Sequence, residues 1–264
     1  MKTYIQIIRL TWEEMMEYRL NFIMWRVRFV MQRLVVYFLW WALFASRETF
    51  FDYTQSTILT YILLSGIVAT FVTGTRVYGV GELITRGDLS NTLIKPINFF
   101  SVYAARDTAD KLLNLFLGII EVALLLSILR PPVFVQTDVM PLVLAGMAVA
   151  IGTVMYYCYA MIHGLLAFWL PDVWAPRFLS FVILEFLTGA LFPLDILPEP
   201  LSTFIRLLPF QYFMYFPVKV YLGQLTVLQM AGGMAVGLVC VGILWYVMAM
   251  MWRRGLRKYA GEGR

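Results

Sequence analysis

The sequence predicts an all-α integral membrane protein with six transmembrane helices, on the evidence of its composition, its apolar blocks and its basic residues. Hydrophobic residues make up 61% of the 264 residues, charged residues make up 14%, and the mean hydropathy is +0.76. Soluble domains carry about 25% charged residues, so this chain has too few of them to cover a surface in water. Lipid is therefore the expected solvent for most of the chain.

The N-terminal segment, residues 1–28, is predicted to be an interfacial helix on the membrane surface. Its apolar residues recur at helical spacing and its acidic residues lie opposite them, which is typical of an amphipathic helix at a lipid interface. The apolar set is Tyr4, Ile5, Ile8, Trp12, Met15 and Met16, and the acidic set is Glu13, Glu14 and Glu17.

Three arginines, Arg19, Arg26 and Arg33, follow at intervals of seven and share nearly one helix face. We interpret them as anchors whose long side chains reach the lipid head groups from the end of a span. The alternative is that this stripe faces a partner domain or an anionic lipid.

Six apolar blocks follow, with lengths suited to crossing a bilayer. A helix rises 1.5 Å per residue, so about 20 residues cross roughly 30 Å of hydrocarbon. The blocks cover residues 29–46, 57–75, 108–129, 140–170, 176–193 and 229–252. Helices are expected throughout because backbone groups in lipid must be satisfied within the segment. The fifth block is short, and no soluble domain is indicated, so 1–264 is predicted to form one transmembrane domain.

The basic residues predict the orientation. With a cytoplasmic N-terminus, 17 lysines and arginines fall on the inside, whereas Arg47, Arg130, Arg206 and Lys219 fall outside. This bias predicts that both termini are cytoplasmic. The same residues form no basic stripe interleaved with aromatic residues, so nucleic acid is not an expected partner.

The connection between spans two and three, residues 76–105, contains the run GELITRGDLSNTLIKPINFF. Gly87 is predicted to end one short helix in the left-handed conformation, and Asp88 to cap the next helix. An apolar face then precedes Pro96, which stops the helix. This pattern predicts a cytoplasmic helix-break-helix element, although a connection that needs only turns and caps would use the same residues. The apolar face consists of Leu89, Leu93 and Ile94.

The segment after span five, residues 193–226, is too rich in proline for one continuous helix. Apolar residues at i, i+3, i+4 and i+7 predict a short amphipathic helix that starts at Pro200 and ends before Pro209. Because the segment is also too apolar for a loop in water, we expect a re-entrant helical hairpin in the outer leaflet, which would serve as the gate. The prolines are Pro193, Pro198, Pro200, Pro209 and Pro217, and the apolar set is Leu201, Phe204, Ile205 and Leu208.

Ionisable residues within spans are expensive and are expected to face the protein interior. Glu185 either lines the transport path or bonds a neighbouring helix, whereas Glu121 and His163 are interpreted as structural partners between helices. Gly233 and Gly237 form a G-x-x-x-G pair in span six, which indicates a dimer interface. The two cysteines, Cys158 and Cys240, lie in different spans and indicate neither a disulfide nor a metal site.

Three motifs then resemble the ABC-2 type permease family: G-D-L-S-x-x-L-I-K-P at 87–96, F-P-L-D-x-L-P at 192–198 and L-P-F at 208–210. The closest similarity is to the branch of permeases of this length that occur in pairs beside a separate ATPase. The resemblance implies an ATP-driven exporter of the prokaryotic inner membrane, with two ATPase subunits and a second permease, identical or paralogous. It also implies alternating access for a hydrophobic or amphipathic substrate such as a lipid, glycolipid or drug.

The resemblance places the ATPase contact on the cytoplasmic element, at Glu82, Arg86, Gly87, Asp88, Leu89, Leu93 and Pro96. The proposed substrate path or gate comprises Glu185, Phe186, Phe192, Pro193 and Phe210. The sequence has no G-x-x-x-x-G-K-[ST] phosphate loop, so ATP and Mg²⁺ are expected in the partner ATPase. No catalytic residue, metal or bound cofactor is expected in this chain.

The alternatives to the permease are a proton-coupled secondary transporter and a membrane-embedded transferase. A proton-coupled secondary transporter would use Glu121, His163 and Glu185 as a relay, but no inverted internal repeat is visible. A membrane-embedded transferase would need a cluster of acidic, histidine or cysteine residues with metal or acid-base spacing on a loop, and the sequence has none.

Overall fold

The computed structural model describes residues 2–17 and 19–259 and shows an all-α membrane protein. Its α-helices are α1 (Lys2–Glu17), α2 (Arg19–Leu43), α3 (Gln55–Thr73), α4 (Val80–Thr85), α5 (Leu89–Leu93), α6 (Phe99–Leu129), α7 (Val139–Leu165), α8 (Trp174–Leu187), α9 (Glu199–Leu207), α10 (Tyr215–Tyr221) and α11 (Val227–Lys258). Short 3-10 segments lie at Phe44–Ser46, Val77–Gly79, Leu166–Phe168, Leu194–Ile196 and Pro209–Phe213.

Five helical segments in the described part of the chain are long and apolar enough to cross a membrane. They are Phe22–Ser46, Gln55–Thr85, Phe99–Leu129, Val139–Phe168 and Val227–Lys258. The fifth predicted block forms only the 14-residue helix α8, so the predicted count of six full spans is not confirmed. Helix α8 ends early because Gly189 takes a φ of +79°, the left-handed conformation that terminates helices.

A two-stranded antiparallel hairpin, β1 (Thr49–Phe50) and β2 (Tyr53–Thr54), joins α2 to α3. Phe51 and Asp52 form its two-residue turn with φ of 49° and 62°, the combination that matches the twist of paired strands. The sequence predicted helices only. This small hairpin lies outside the five candidate spans.

The first helix ends at Glu17, earlier than the predicted bound of residue 28. Helix α1 lies against α6, where the Trp12 indole donates a hydrogen bond to the carbonyl of Ala109 at 2.8 Å. Thr11 and Met15 are buried in this contact, whereas Ile5 and Met16 are exposed. Its exposed apolar side is the part of α1 available to a lipid interface.

The arginines of the predicted stripe turn into the protein, so their interpretation as head-group anchors is wrong for two of them. Arg26 is 8% exposed and pairs with Glu121 of α6 at 2.6 Å. Arg33 donates hydrogen bonds to α3. Residues 19–28 therefore belong to the span helix α2, because Arg26 has its ionic partner inside the bundle. The Arg19 side chain lies outside the described part of the structure.

The core centres on α7, which packs against α3, α4, α10 and α11. Lipid is as apolar as the side chains, so close van der Waals packing holds such helices together. Small residues on α7 provide it: Gly152 lies against the backbone of Tyr212, and Gly164 lies against Val80 of α4. A second cluster joins α2 and α3 to residues 194–222. Tyr61 of α3 donates a 2.6 Å hydrogen bond to the carbonyl of Gly189, just after α8.

Gly233 and Gly237 contact other elements of the same chain. A side chain at Gly233 would meet the ring of Phe216, and one at Gly237 would meet Ile151 and Tyr212. The close contact that this pair permits is therefore made with α7 and with residues 209–221 of the same chain, and a dimer interface at these glycines stays a prediction.

Met1, Tyr18 and residues 260–264 lie outside the described residues. The predicted single domain, 1–264, includes these positions, and the count of inside charges includes Arg264.

Candidate coupling element and membrane cavity

The predicted helix-break-helix element is present as α4 and α5, separated by Gly87 in the left-handed conformation with φ of +81°. Asp88 occupies the N-cap position of α5, but its side chain makes no capping hydrogen bond because its backbone is already helical. That detail of the prediction is wrong. The helix ends at Leu93, before Pro96, as expected.

The coupling element, defined here as residues 80–96, has a buried side and an exposed side. Leu89 is fully buried, whereas Leu93 is 43% and Ile94 is 82% exposed, so the three leucine and isoleucine side chains do not share one face. Glu82 and Arg86 form an exposed ion pair at 3.5 Å. The exposed side therefore offers both apolar and charged contacts to another protein.

The end of α11 holds the break between α4 and α5. The Tyr259 hydroxyl donates to the carbonyl of Gly87 at 2.5 Å and accepts a hydrogen bond from the Ser90 amide at 3.3 Å. Its ring packs against Phe168, with centroids 6.1 Å apart. Sequence reasoning missed Tyr259, which is 172 residues from Gly87. No local pattern marks such a pair.

Removing the Tyr259 hydroxyl should loosen the coupling element. We expect Tyr259→Phe to keep the ring contact with Phe168 and to lose the bonds to Gly87 and Ser90, each worth about 1 kcal/mol. Hydrogen exchange of the Ser90 amide should then quicken roughly fivefold, the factor for about 1 kcal/mol. Tyr246→Phe, at a 69% exposed position on the same helix, is the control. An unchanged rate of hydrogen exchange at the Ser90 amide would show that the Tyr259 hydroxyl does not stabilise the break between α4 and α5.

A polar network ties the end of α3 to α6 and α1. Lys111 donates to the carbonyls of Val72 and Gly74 at 3.1 and 2.8 Å and pairs with Asp107 at 3.3 Å. These bonds satisfy carbonyls that the end of a helix leaves free. The neighbouring Arg76 side chain pairs with Asp110 of α6 at 3.0 Å, so it ties the residues that follow α3 to the same helix. The residues between α3 and the coupling element are thus fixed to α6.

A cavity of about 100 Å³ lies between α2, α3, α8 and residues 188–214. Its polar lining is Gln32, Arg33, Ser65, Thr73, Tyr156, Glu185 and Thr188, and its apolar lining includes Phe29, Val36, Ile62, Phe181, Leu184 and Met214. Gln32 donates to both carboxylate oxygens of Glu185 at 3.3 Å. Glu185 therefore bonds a neighbouring helix, which is one of the two alternatives left open by the sequence, and it also lines this cavity.

The other two ionisable residues serve structure. Glu121 links α6 to α2 through Arg26. His163 bonds through Nδ1 with the carbonyl of Tyr159 at 2.9 Å, within its own helix, and its ring packs beside Tyr78. Among the described residues no hydrogen bond joins Glu121, His163 and Glu185 to one another, so they do not form a continuous relay.

The predicted gate residues are dispersed. Phe186 is 53% exposed on the outer face of α8. Phe192 packs in the second cluster beside buried Pro193, and Phe210 packs against Tyr159 with centroids 6.0 Å apart. Of the predicted path residues only Glu185 lines the cavity, and sequence reasoning missed Gln32 there. Arg33 was predicted to be an anchor.

The predicted hairpin after α8 is fixed by a buried lysine. Lys219 of α10 is 7% exposed and pairs with Asp195 at 2.7 Å. It also donates to the Tyr53 hydroxyl at 3.0 Å and to Gln224 at 2.6 Å. Burial, and then the charge of Asp195, raises the pKa of Tyr53, so this hydroxyl stays neutral and donates to the Asp195 carboxylate. Lys219 was predicted only as an outside charge.

The predicted amphipathic helix is present as α9, Glu199–Leu207. Its packed side contains Ser202 and Ile205, whereas Leu201 and Phe204 are exposed at 47% and 60%. Two residues of the predicted apolar stripe, Leu201 and Phe204, thus face away from the chain, toward the surroundings in which lipid is the expected solvent, whereas Ile205 packs against the chain.

Gly66 provides the space in which Arg33 crosses from α2 to α3. A β-carbon at this position would collide with the Arg33 guanidinium. We expect Gly66→Ala to lower the free energy of unfolding by about 1–3 kcal/mol, as overpacking does. Gly146→Ala on α7 has open space around it and should be neutral or slightly stabilising. Denaturant titration in detergent measures the free energy of unfolding of both variants. Equal stability of the two would contradict the contact between Arg33 and Gly66.

An all-α bundle with five candidate spans among the described residues is the architecture of a multi-pass membrane protein. The chain belongs to the ABC-2 family of transporter proteins, because the model for "ABC-2 family transporter protein" matches residues 29–263. A comparison with curated proteins gives no match. Membership identifies the chain as an ABC permease, a transport subunit that is not itself an enzyme, and implies an ATPase partner.

Proposed function

We propose that the chain is the permease of an ATP-driven exporter that moves a hydrophobic or amphipathic substrate, such as a lipid, glycolipid or drug, by alternating access. The observation that carries this proposal is the coupling element, whose exposed end at Leu93 and Ile94 is free for a partner while its other side is bonded into the bundle.

Force applied to the coupling element has defined routes into the membrane. One route passes through Gly164 of α7, which lies against α4. A second passes through Tyr259 into α11. Rigid-body motion of these helices relative to α2 and α8 would open the cavity alternately to the two sides.

Two ATPase subunits are the proposed partners, and they would hold ATP and Mg²⁺, since this chain has no phosphate loop. Glu82, Arg86 and Leu93 are their proposed contacts. Gly87, Asp88 and Pro96 shape the element, and buried Leu89 fixes it to the bundle. The basic residues support cytoplasmic termini, and the family resemblance supports a prokaryotic inner membrane and outward transport.

A second permease, identical or paralogous, is proposed to contact α8. This helix exposes Trp174 at 64% and Phe178 and Phe186 at 53% each, so its apolar side lacks a partner within the described chain. Lipid is the alternative neighbour of this face. Disulfide trapping between single cysteines at Phe178 would distinguish the two, with Leu238 on α11, 60% exposed, as the control position.

Reconstitution with the ATPase tests the whole proposal. The permease should copurify with its ATPase, and substrate movement in vesicles should require hydrolysable ATP and persist when the proton gradient is collapsed. Transport by the purified chain without an ATPase would refute it. Loss of transport on collapsing the proton gradient, with ATP present, would support the proton-coupled secondary transporter. The separation of Glu121, His163 and Glu185 gives that alternative no structural support.

A further inference from the structure

The membrane cavity contains two opposite charges that do not neutralise each other. Arg33 extends from α2 and lies against Gly66 of α3, whereas Glu185 projects from α8. Within the described residues Glu185 forms no salt bridge; its partner is the neutral amide of Gln32 at 3.3 Å. A carboxylate at membrane depth is costly without a cationic partner. Glu185 therefore lacks a cationic partner on its side of the cavity.

The arginine has donors to spare. One terminal nitrogen of Arg33 donates to the carbonyl of Gly66 at 2.7 Å and to the Thr70 hydroxyl at 3.1 Å. Guanidinium carries five N–H donors, and its other nitrogens make no hydrogen bond to any residue that the structure describes. Arg33 lines the same cavity, so an anionic group there would complete its hydrogen bonds.

Most of the remaining lining is apolar or aromatic, beside the hydroxyl groups of Ser65, Thr73 and Thr188. Phe29, Phe181 and Met214 border the cavity, and Phe181 is 40% exposed. The cavity holds about 100 Å³ and is open on one side, so a head group can enter it while the chain attached to that head group stays outside. A small charged head with an apolar chain attached outside the cavity matches both properties.

We propose that the cavity binds the zwitterionic head group of an amphiphile, with its ammonium at Glu185 and its phosphate or carboxylate at Arg33. The inference rests on the proposed function in placing this cavity on the substrate path. It adds the class of substrate: a molecule with both charges close together and an apolar chain, rather than a purely anionic or purely cationic amphiphile.

Binding to the purified full chain in detergent tests the proposal, with four probes: lysophosphatidylethanolamine, lysophosphatidylglycerol, an alkylammonium of equal chain length, and free phosphoethanolamine. The zwitterionic amphiphile should bind about tenfold or more tightly than the two singly charged amphiphiles, because it alone makes charge-assisted hydrogen bonds to both Arg33 and Glu185. Free phosphoethanolamine should bind more weakly than the amphiphile. Equal affinity for the free head group would assign the site to a soluble zwitterion and overturn the amphiphile.

Glu185→Gln should reduce the affinity for the zwitterionic probe to that of lysophosphatidylglycerol and leave lysophosphatidylglycerol binding unchanged. Glu48→Gln, at an exposed position outside the spans, is the matched control. Undiminished zwitterion binding by Glu185→Gln, or equal binding of the three amphiphiles by the wild-type chain, would overturn the proposal. The wild-type series decides the matter even if the variant does not fold. No ATPase or ATP is present, so failure here is distinct from failure to copurify with an ATPase.

Discussion

Ile94→Asp is expected to abolish stable association with the ATPase while leaving the permease folded. Ile94 is 82% exposed at the end of the coupling element, so a carboxylate there should cost little in the isolated chain. In the complex the same residue would be desolvated in an apolar contact, where a central side chain typically contributes at least about 2 kcal/mol. That loss corresponds to roughly thirtyfold in affinity, enough to remove the ATPase from a pull-down.

Asn91→Asp is the matched control, because it places the same charge at an exposed position on α5, the short helix that ends just before Ile94, and removes no apolar side chain. The readout is the amount of ATPase retained by tagged permease in detergent, with thermal unfolding of the permease measured in parallel. If both variants keep the ATPase, the partner docks elsewhere. If both lose it, charge rather than the apolar contact at Ile94 governs association.

The long apolar helices were the part of the fold that the sequence predicted best. Length and hydropathy suffice for a helix such as α6 or α11, because lipid forces the backbone to bond within the segment. The fifth block, which was predicted to be short, forms a helix of 14 residues because Gly189 ends α8, and hydropathy does not register where a glycine takes a positive φ. The hairpin turn at Phe51 and Asp52 was missed for a similar reason, since neither residue is the asparagine or glycine that usually marks such a turn.

The candidate sites were predicted less completely, because they depend on pairings between distant residues. Gly87 was identified from local chemistry, and the structure gives it the predicted conformation. Tyr259 and the pair Lys219 and Asp195 carry no local signature, since each contact joins separate elements. Arg26 and Arg33 were interpreted from their spacing alone, which fixes a shared helix face but not whether lipid or protein covers it.

Lys219→Met is expected to disrupt the packing of residues 193–226, the segment that follows α8. Lys219→Met removes the partner of Asp195 and the donor to Tyr53 and Gln224 in one change. Breaking a buried ion pair from one side typically costs about 3–5 kcal/mol, and we expect the lower end because the Asp195 side chain is 28% exposed. Denaturant titration in mixed micelles measures the free energy of unfolding, and labelling of a cysteine at Ser202 reports exposure of α9.

The double variant Lys219→Met with Asp195→Asn separates loss of the pair from loss of packing. It should be less destabilised than the sum of the single variants, because the first substitution alone leaves Asp195 with an uncompensated charge. Arg206→Met is the control, since its ion pair with Glu199 is long, at 3.9 Å, and solvent exposed. Additive effects of Lys219→Met and Asp195→Asn would mean that the two residues act independently. The hairpin would then be held by its apolar contacts at Leu194, Ile205 and Val218, which the second cluster buries against α2 and α3.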